Sequence, residues 1–113
     1  MHGLDIDVRT ARGCTVVALS GELDVYSERA LRKDLDALNA QRMVLDLSGL
    51  DFCDSSGLGV MVGLHKRLRG VDSGLVLAGV SEHLARVLRI TGLTKVLATA
   101  ADVDEACDLL KAP

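Results

Sequence analysis

Two nearly continuous apolar runs, 43-MVLDL-47 and 75-LVLAGV-80, constrain this chain more than any other feature. A strand with one face in water alternates apolar and polar residues, whereas a run apolar on both faces reads as a strand covered on both sides. Helical patterns supply the cover. Leu31, Leu35 and Leu38 form one apolar stripe on a helix over about 27–40. Leu58, Met61, Val62, His65 and Leu68 mark a second helix over about 55–69, with His65, Lys66, Arg67 and Arg69 in its last turns, where cations suit the helix dipole. Leu84, Val87, Leu88 and Thr91 mark a third, stopped by Gly92. Asp102 and Glu105 make a capping-box-like start for a fourth, which carries Val103, Ala106, Cys107 and Leu110.

Near the start, Leu4, Ile6 and Val8 alternate with Asp5, Asp7 and Arg9, and the turn-like 11-ARG-13 joins them to 14-CTVVALS-20 as a hairpin. The segment 95-KVLAT-99 reads as a short last strand. The order β-β-α-β-α-β-α-β-α predicts an α/β fold: a mixed, mostly parallel sheet of five strands with four helices and right-handed crossovers. At 113 residues the chain is expected to form one domain, 1–113. In such sheets ligands and partners meet the loops beyond the carboxyl ends of the strands. Two of these are 21-GELDVYS-27 and 48-SGLDFCDSSG-57, and the strands before them are expected to be neighbours. That pairing gathers Glu22, Asp24, Asp51, Asp54, Ser55 and Ser56 on one edge.

Charge and cysteine usage narrow the function classes. Thirteen Lys+Arg against sixteen Asp+Glu leave a formal charge of −3 with no basic stripe, which argues against nucleic acid as a partner. The start, MHGLDIDVRT, lacks an apolar h-region and no run of about 18 apolar residues occurs, so no membrane association is expected and the reading is cytoplasmic. Cys14, Cys53 and Cys107 are odd in number and widely spaced, without a CxxC or Cys/His cluster, so they read as reduced core thiols and no metal site is expected. Tyr26 and Phe52, the only aromatics, flank the two loops of the proposed edge.

Three chemistries could use the serine pair in 54-DSSGLG-59. A nucleophilic serine needs a base, and the histidines are badly placed: His2 at the terminus, His65 toward the far end of the second helix, His83 opening the third. No enzyme activity is expected. A nucleotide cradle is suggested by Gly57, Gly59 and Gly63, but about eight residues separate the strand from the first glycine and the next strand ends without an acidic residue. Gly59 and Gly63 read instead as a close-packing face, spaced i, i+4. Receiving a phosphate fits best: at a helix N-terminus the fold tolerates it, while a further charge of roughly −1.5 to −2 beside Asp24 and Asp54 transforms the surface. The plain alternative is that Asp54 and Ser55 only cap the helix.

The chain resembles the anti-sigma factor antagonists of bacterial partner-switching systems, the SpoIIAA/RsbV-like group of STAS domains. The resemblance is carried by 21-GELDVYS-27, 43-MVLDLSGLDFCDSSGLGVMVGLHKR-67, the strand at 75–80 and 90-ITGLTKV-96, together nearly the whole chain. It implies a STAS fold and a protein that, unmodified, binds an anti-sigma factor with serine-kinase activity and so frees the sigma factor. It implies phosphorylation on Ser55, which ends binding, and restoration by a PP2C-type phosphatase. No cofactor is implied for this chain itself, ATP being held by the partner kinase. Asp24 and Asp54 match the acidic neighbours of the acceptor, and Ser56 and Gly57 the rest of the contact loop; Glu22 and Tyr26 complete the expected partner-binding set. STAS domains also serve as non-switching scaffolds in stress-signalling, transporter or lipid-transport complexes. Cys53 departs from the pattern, standing where an aliphatic residue is more usual.

Overall fold

A computed structural model describes residues 3–111, so His2 lies outside the described residues. The elements run β1 (Leu4–Ala11), β2 (Cys14–Leu23), α1 (Glu28–Asp36), β3 (Arg42–Cys53), α2 (Ser55–Arg67), β4 (Gly74–Ala78), α3 (Glu82–Thr91), a 3-10 turn (Leu93–Lys95), β5 (Ala98–Ala100) and α4 (Val103–Leu109). The five strands stand in the sheet in chain order; β1 pairs antiparallel with β2 and every later pair is parallel. The hairpin turns at Arg12 and Gly13, with φ of 51° and 81°. Two successive positive φ values match the twist of the flanking strands.

The order of the strands decides where the helices go. A parallel series that advances in one direction across the sheet, with crossovers of one hand, puts successive helices on one side. One buried cluster accordingly joins Leu31 and Leu35 of α1, Val60, Met61, Leu64 and Leu68 of or just beyond α2, and Leu84 and Leu88 of α3 to Val17, Leu19, Leu45, Leu47 and Leu77 of the sheet. After β5 no crossover follows, and α4 covers the opposite face: Ala106 and Cys107 pack with Cys14, Val16, Val44, Val76, Ala78 and Ala100. Small residues bring α4 close; a Cβ at Gly74 would stand 2.9 Å from Leu110 Cδ2. The alternate residues Val44 and Leu45 thus enter different cores, the physical reason their run lacks polar alternation.

Several expected boundaries move. α1 stops at Asp36, short of the expected 40, as the chain tightens through Leu38 N–H to Leu35 O at 3.1 Å. The expected strand 95–99 is instead a 3-10 turn followed by β5 at Ala98–Ala100. Gly92, left-handed at φ 79°, ends α3, and the turn beyond it drives Leu97 into the core. On α2 the buried line is Gly57, Val60, Met61, Leu64; the expected Leu58, Val62 and His65 are half-buried on its shoulders. This helix is apolar around most of its circumference, so spacing alone did not choose its inner face.

Candidate functional site

The larger correction concerns the two segments expected to be loops. β2 runs on through Gly21 and Glu22 to Leu23, and β3 through 48–53 to Cys53, pairing Glu22 with Phe52 and Leu23 with Cys53. Two register shifts, between Ala18 and Ser20 and between Gly21 and Glu22, give β3 its extra residues and bend this arm. Gly21 sits at φ 101°, where a Cβ would collide with the Gly3 carbonyl, and Gly49 would collide with Ser20 Oγ at 2.7 Å. What remains outside regular structure is 24–27 on one strand and Asp54 alone on the other.

Asp54 is the N-cap of α2, its backbone extended at φ −95° and ψ −170°. Its Oδ1 accepts from Ser56 N–H at 2.9 Å and Gly57 N–H at 3.2 Å. The expected eight-residue gap before Gly57 is therefore wrong: one residue joins strand to helix. The nucleotide reading fails for a better reason, since a carboxylate already occupies the N–H groups that a phosphate cradle would offer. Gly57 is buried beneath this surface; a Cβ there would meet Cys53 Sγ at 2.6 Å and Leu23 Cγ at 2.8 Å. Its lack of a side chain lets α2 dock on the strand ends, so Gly57 supports the start of α2 from below.

Ser55 is the first residue of α2 and is exposed, while Ser56 is half-buried. Across from them, Asp24 Oδ1 accepts from Tyr26 N–H at 3.0 Å and Ser27 N–H at 3.1 Å. Ser27 Oγ accepts from Asp24 N–H at 3.0 Å and donates to Glu22 O at 2.9 Å. The two sides are tied by Asp54 N–H to Leu23 O at 3.1 Å. Glu22, Asp24, Asp54, Ser55 and Ser56 thus lie at the adjoining ends of β2 and β3, and Asp24 also folds its own turn; Asp51, expected with them, stands back within β3 and lines a hollow toward α3. The Asp24 turn lifts Tyr26 into solvent at 91 % exposure beside Val25 at 60 %, and Phe52, paired with Glu22 on β3, is 49 % exposed.

Among the described residues neither Ser55 Oγ nor Ser56 Oγ is hydrogen-bonded to a histidine. His83 does share a hollow of about 330 Å³ with Asp51, Phe52 and Cys53, which sequence reasoning did not anticipate. Burial, with Asp54 adding to it, pushes the Cys53 thiol up to about 11, so it stays protonated and unreactive near neutrality. Among the described residues no polar or charged side chain is fully buried, and no three His, Cys, Asp or Glu side chains gather to hold a metal. No helix among them is long and apolar enough to cross a membrane.

Residues 5–106 match the STAS domain family. The chain belongs to the STAS domain family. Among its relatives, the anti-sigma F factor antagonist of Paenibacillus polymyxa is 35 % identical over 98 residues, covering 83 % of this chain and 84 % of that protein. The anti-sigma-B factor antagonist of Bacillus subtilis strain 168 is 36 % identical over 100 residues, covering 87 % and 92 %. The crystal structure of an anti-sigma factor antagonist from Mycobacterium paratuberculosis superposes with a TM-score of 0.87 at 26 % identity, over 96 % of this chain and 94 % of that one.

Two further features of this STAS domain escaped the sequence reading. One is the supporting place of Gly57. The other is Arg32 of α1, whose Nη2 and Nη1 lie 3.6 Å from where Cβ atoms would stand on Gly59 and Gly63. The i, i+4 glycine pair is therefore not the expected close-packing face: both glycines are exposed, and a guanidinium rather than another backbone lies over them. The only sequence signal was the Glu28/Arg32 pair, also spaced i, i+4.

Proposed function

We propose that this protein is an anti-sigma factor antagonist working by partner switching. Unmodified, it binds an anti-sigma factor that is also a serine kinase, and so releases the sigma factor in the cytoplasm. The partner holds ATP and transfers its γ-phosphoryl group to Ser55 Oγ, ADP leaving and the hydroxyl proton passing to a base of the kinase. A PP2C-type phosphatase hydrolyses the phosphoserine and restores binding. The protein itself needs no catalytic group or cofactor for this.

The observation that carries the reading is an exposed Ser55 hydroxyl opening α2, with half-buried Ser56 beside it. It sits on an edge made by Glu22, Asp24, Asp54 and the solvent-facing Tyr26, in a chain whose relatives carry the name anti-sigma factor antagonist. Docking there needs contact with the acidic and aromatic surface. A phosphate adds roughly −1.5 to −2 of charge at its centre, where like charges stand close. The test is incubation with the cognate kinase and ATP followed by peptide mass mapping. Phosphate is expected on Ser55; phosphate on Ser56 instead sinks the site, and none on either supports a non-switching scaffold. Ser55→Ala is expected to abolish phosphorylation and keep binding, and Ser55→Asp to bind poorly.

A further inference from the structure

On one face of α2, Ser55, Gly59 and Gly63 follow one another at i, i+4, i+8, all exposed. A helix brings residues so spaced onto neighbouring turns, about 5–6 Å apart at Cβ. The two glycines leave that face without side chains, and Arg32 of α1 lies across it. Its Nε donates to Glu28 Oε2 at 3.0 Å, which sets the plane of the guanidinium. Nη1 and Nη2 point over Gly63 and Gly59 and make no hydrogen bond within the described residues. The neighbouring arginine on this seam, Arg67, is committed to Asp36 Oδ1 at 2.7 Å and Leu35 O at 3.1 Å. Arg32 therefore presents Nη1 and Nη2, neither hydrogen-bonded among the described residues, over the turns of α2 that follow Ser55.

We infer that Arg32 is the intramolecular counter-charge of phosphorylated Ser55. Resting on phosphorylation at Ser55, it adds where the phosphate goes once transferred. The free edge of the guanidinium is a planar fork that matches two phosphate oxygens, while Nε keeps Glu28. A Cβ at Gly59 or Gly63 would lie in ordinary contact with the fork at 3.6 Å, so the two glycines let the guanidinium rest on the helix, and side chains longer than alanine's would lift it away. Asp24, Asp54 and Glu28 all oppose a dianion at this edge, and Arg32 is what offsets them. The clamp would hold the phosphate against α2, keeping the modified domain compact.

The experiment installs phosphoserine at position 55 during translation, so no kinase is needed, and follows phosphate titration by phosphorus NMR. In the otherwise unaltered chain the phosphate is expected to titrate at a pH at least about 0.5 lower than in Arg32→Ala, because a nearby cation favours its dianion. Arg32→Lys should recover part of that difference, and Glu28→Gln should lower the titration further by releasing the whole guanidinium. Phosphoserine placed at 56 instead, around the helix from the glycine face, should not respond to Arg32→Ala. Equal titration of the phosphoserine-55 protein with and without Arg32 overturns the clamp, as does an equal response at position 56. Capture of the anti-sigma factor on the same samples separates the two ideas: capture unaffected by phosphoserine-55 refutes the switch, whatever the titration shows.

Discussion

At the scale of single residues, two serines adjacent in sequence differ in availability. Ser55 opens the helix in solvent, and Ser56 turns partly inward with its N–H held by Asp54. Tyr26 is the other residue whose setting argues for a contact. A tyrosine at 91 % exposure contributes almost nothing to the core, yet its backbone is fixed by Asp24. An aromatic on a fixed backbone has only its two side-chain torsions left to order on docking. Tyr26→Ala is therefore expected to weaken binding to the anti-sigma factor by about 2 kcal/mol, roughly 30-fold in Kd, with the melting temperature unchanged. Titration calorimetry beside a thermal melt checks both halves; an unaltered Kd would move the interface away from the 24–27 turn.

At the scale of elements, Asp54 performs two tasks that can be separated. Its carboxylate caps α2 through Ser56 and Gly57 N–H, and its charge contributes to the acidic edge. Asparagine preserves an accepting oxygen and removes the charge, whereas alanine removes both. Asp54→Ala is expected to cost about 1 kcal/mol of stability, near 4–6 °C in Tm at this size, and to weaken binding. Asp54→Asn should melt within about 2 °C of the parent and still bind the partner less well. Parallel melts and binding isotherms decide the matter: full binding by Asp54→Asn would show that the residue is a cap and nothing more.

At the scale of the whole molecule, the edge lies at the tip of the β2–β3 arm, while α4 closes the opposite face of the sheet around Cys107, Cys14 and Val76. Both cores are built from apolar side chains, and Ser55 is exposed at the helix start, so a phosphate there has no packed element to displace. The switch is expected to be a change of surface charge rather than of shape. With phosphoserine at 55, amide chemical-shift changes should stay within about 24–32 and 53–63, and Tm should move by less than about 3 °C. Changes reaching β4 or α4 would point to a conformational relay through the sheet and overturn this picture.

Local chemistry made much of this legible. Apolar runs and helical stripes were enough for four helices, a hairpin and a mostly parallel sheet, because burial on both faces erases polar alternation. The motif 54-DSSGLG-59 marked the N-terminus of α2 for the same local reason, a carboxylate answering free N–H groups. Four matters were settled only by packing. The segments 21–23 and 48–53 became strand since each found the other as a pairing partner, with bulges absorbing the mismatch. The inner face of α2 depended on which apolar residues met the sheet. The last strand slid to Ala98–Ala100 because Leu97 was needed in the core beside α3. Arg32 came to rest over Gly59 and Gly63 because α1 and α2 lie side by side on one face of the sheet. Sequence spacing states what one helix offers; where two helices meet is decided by the sheet that carries both.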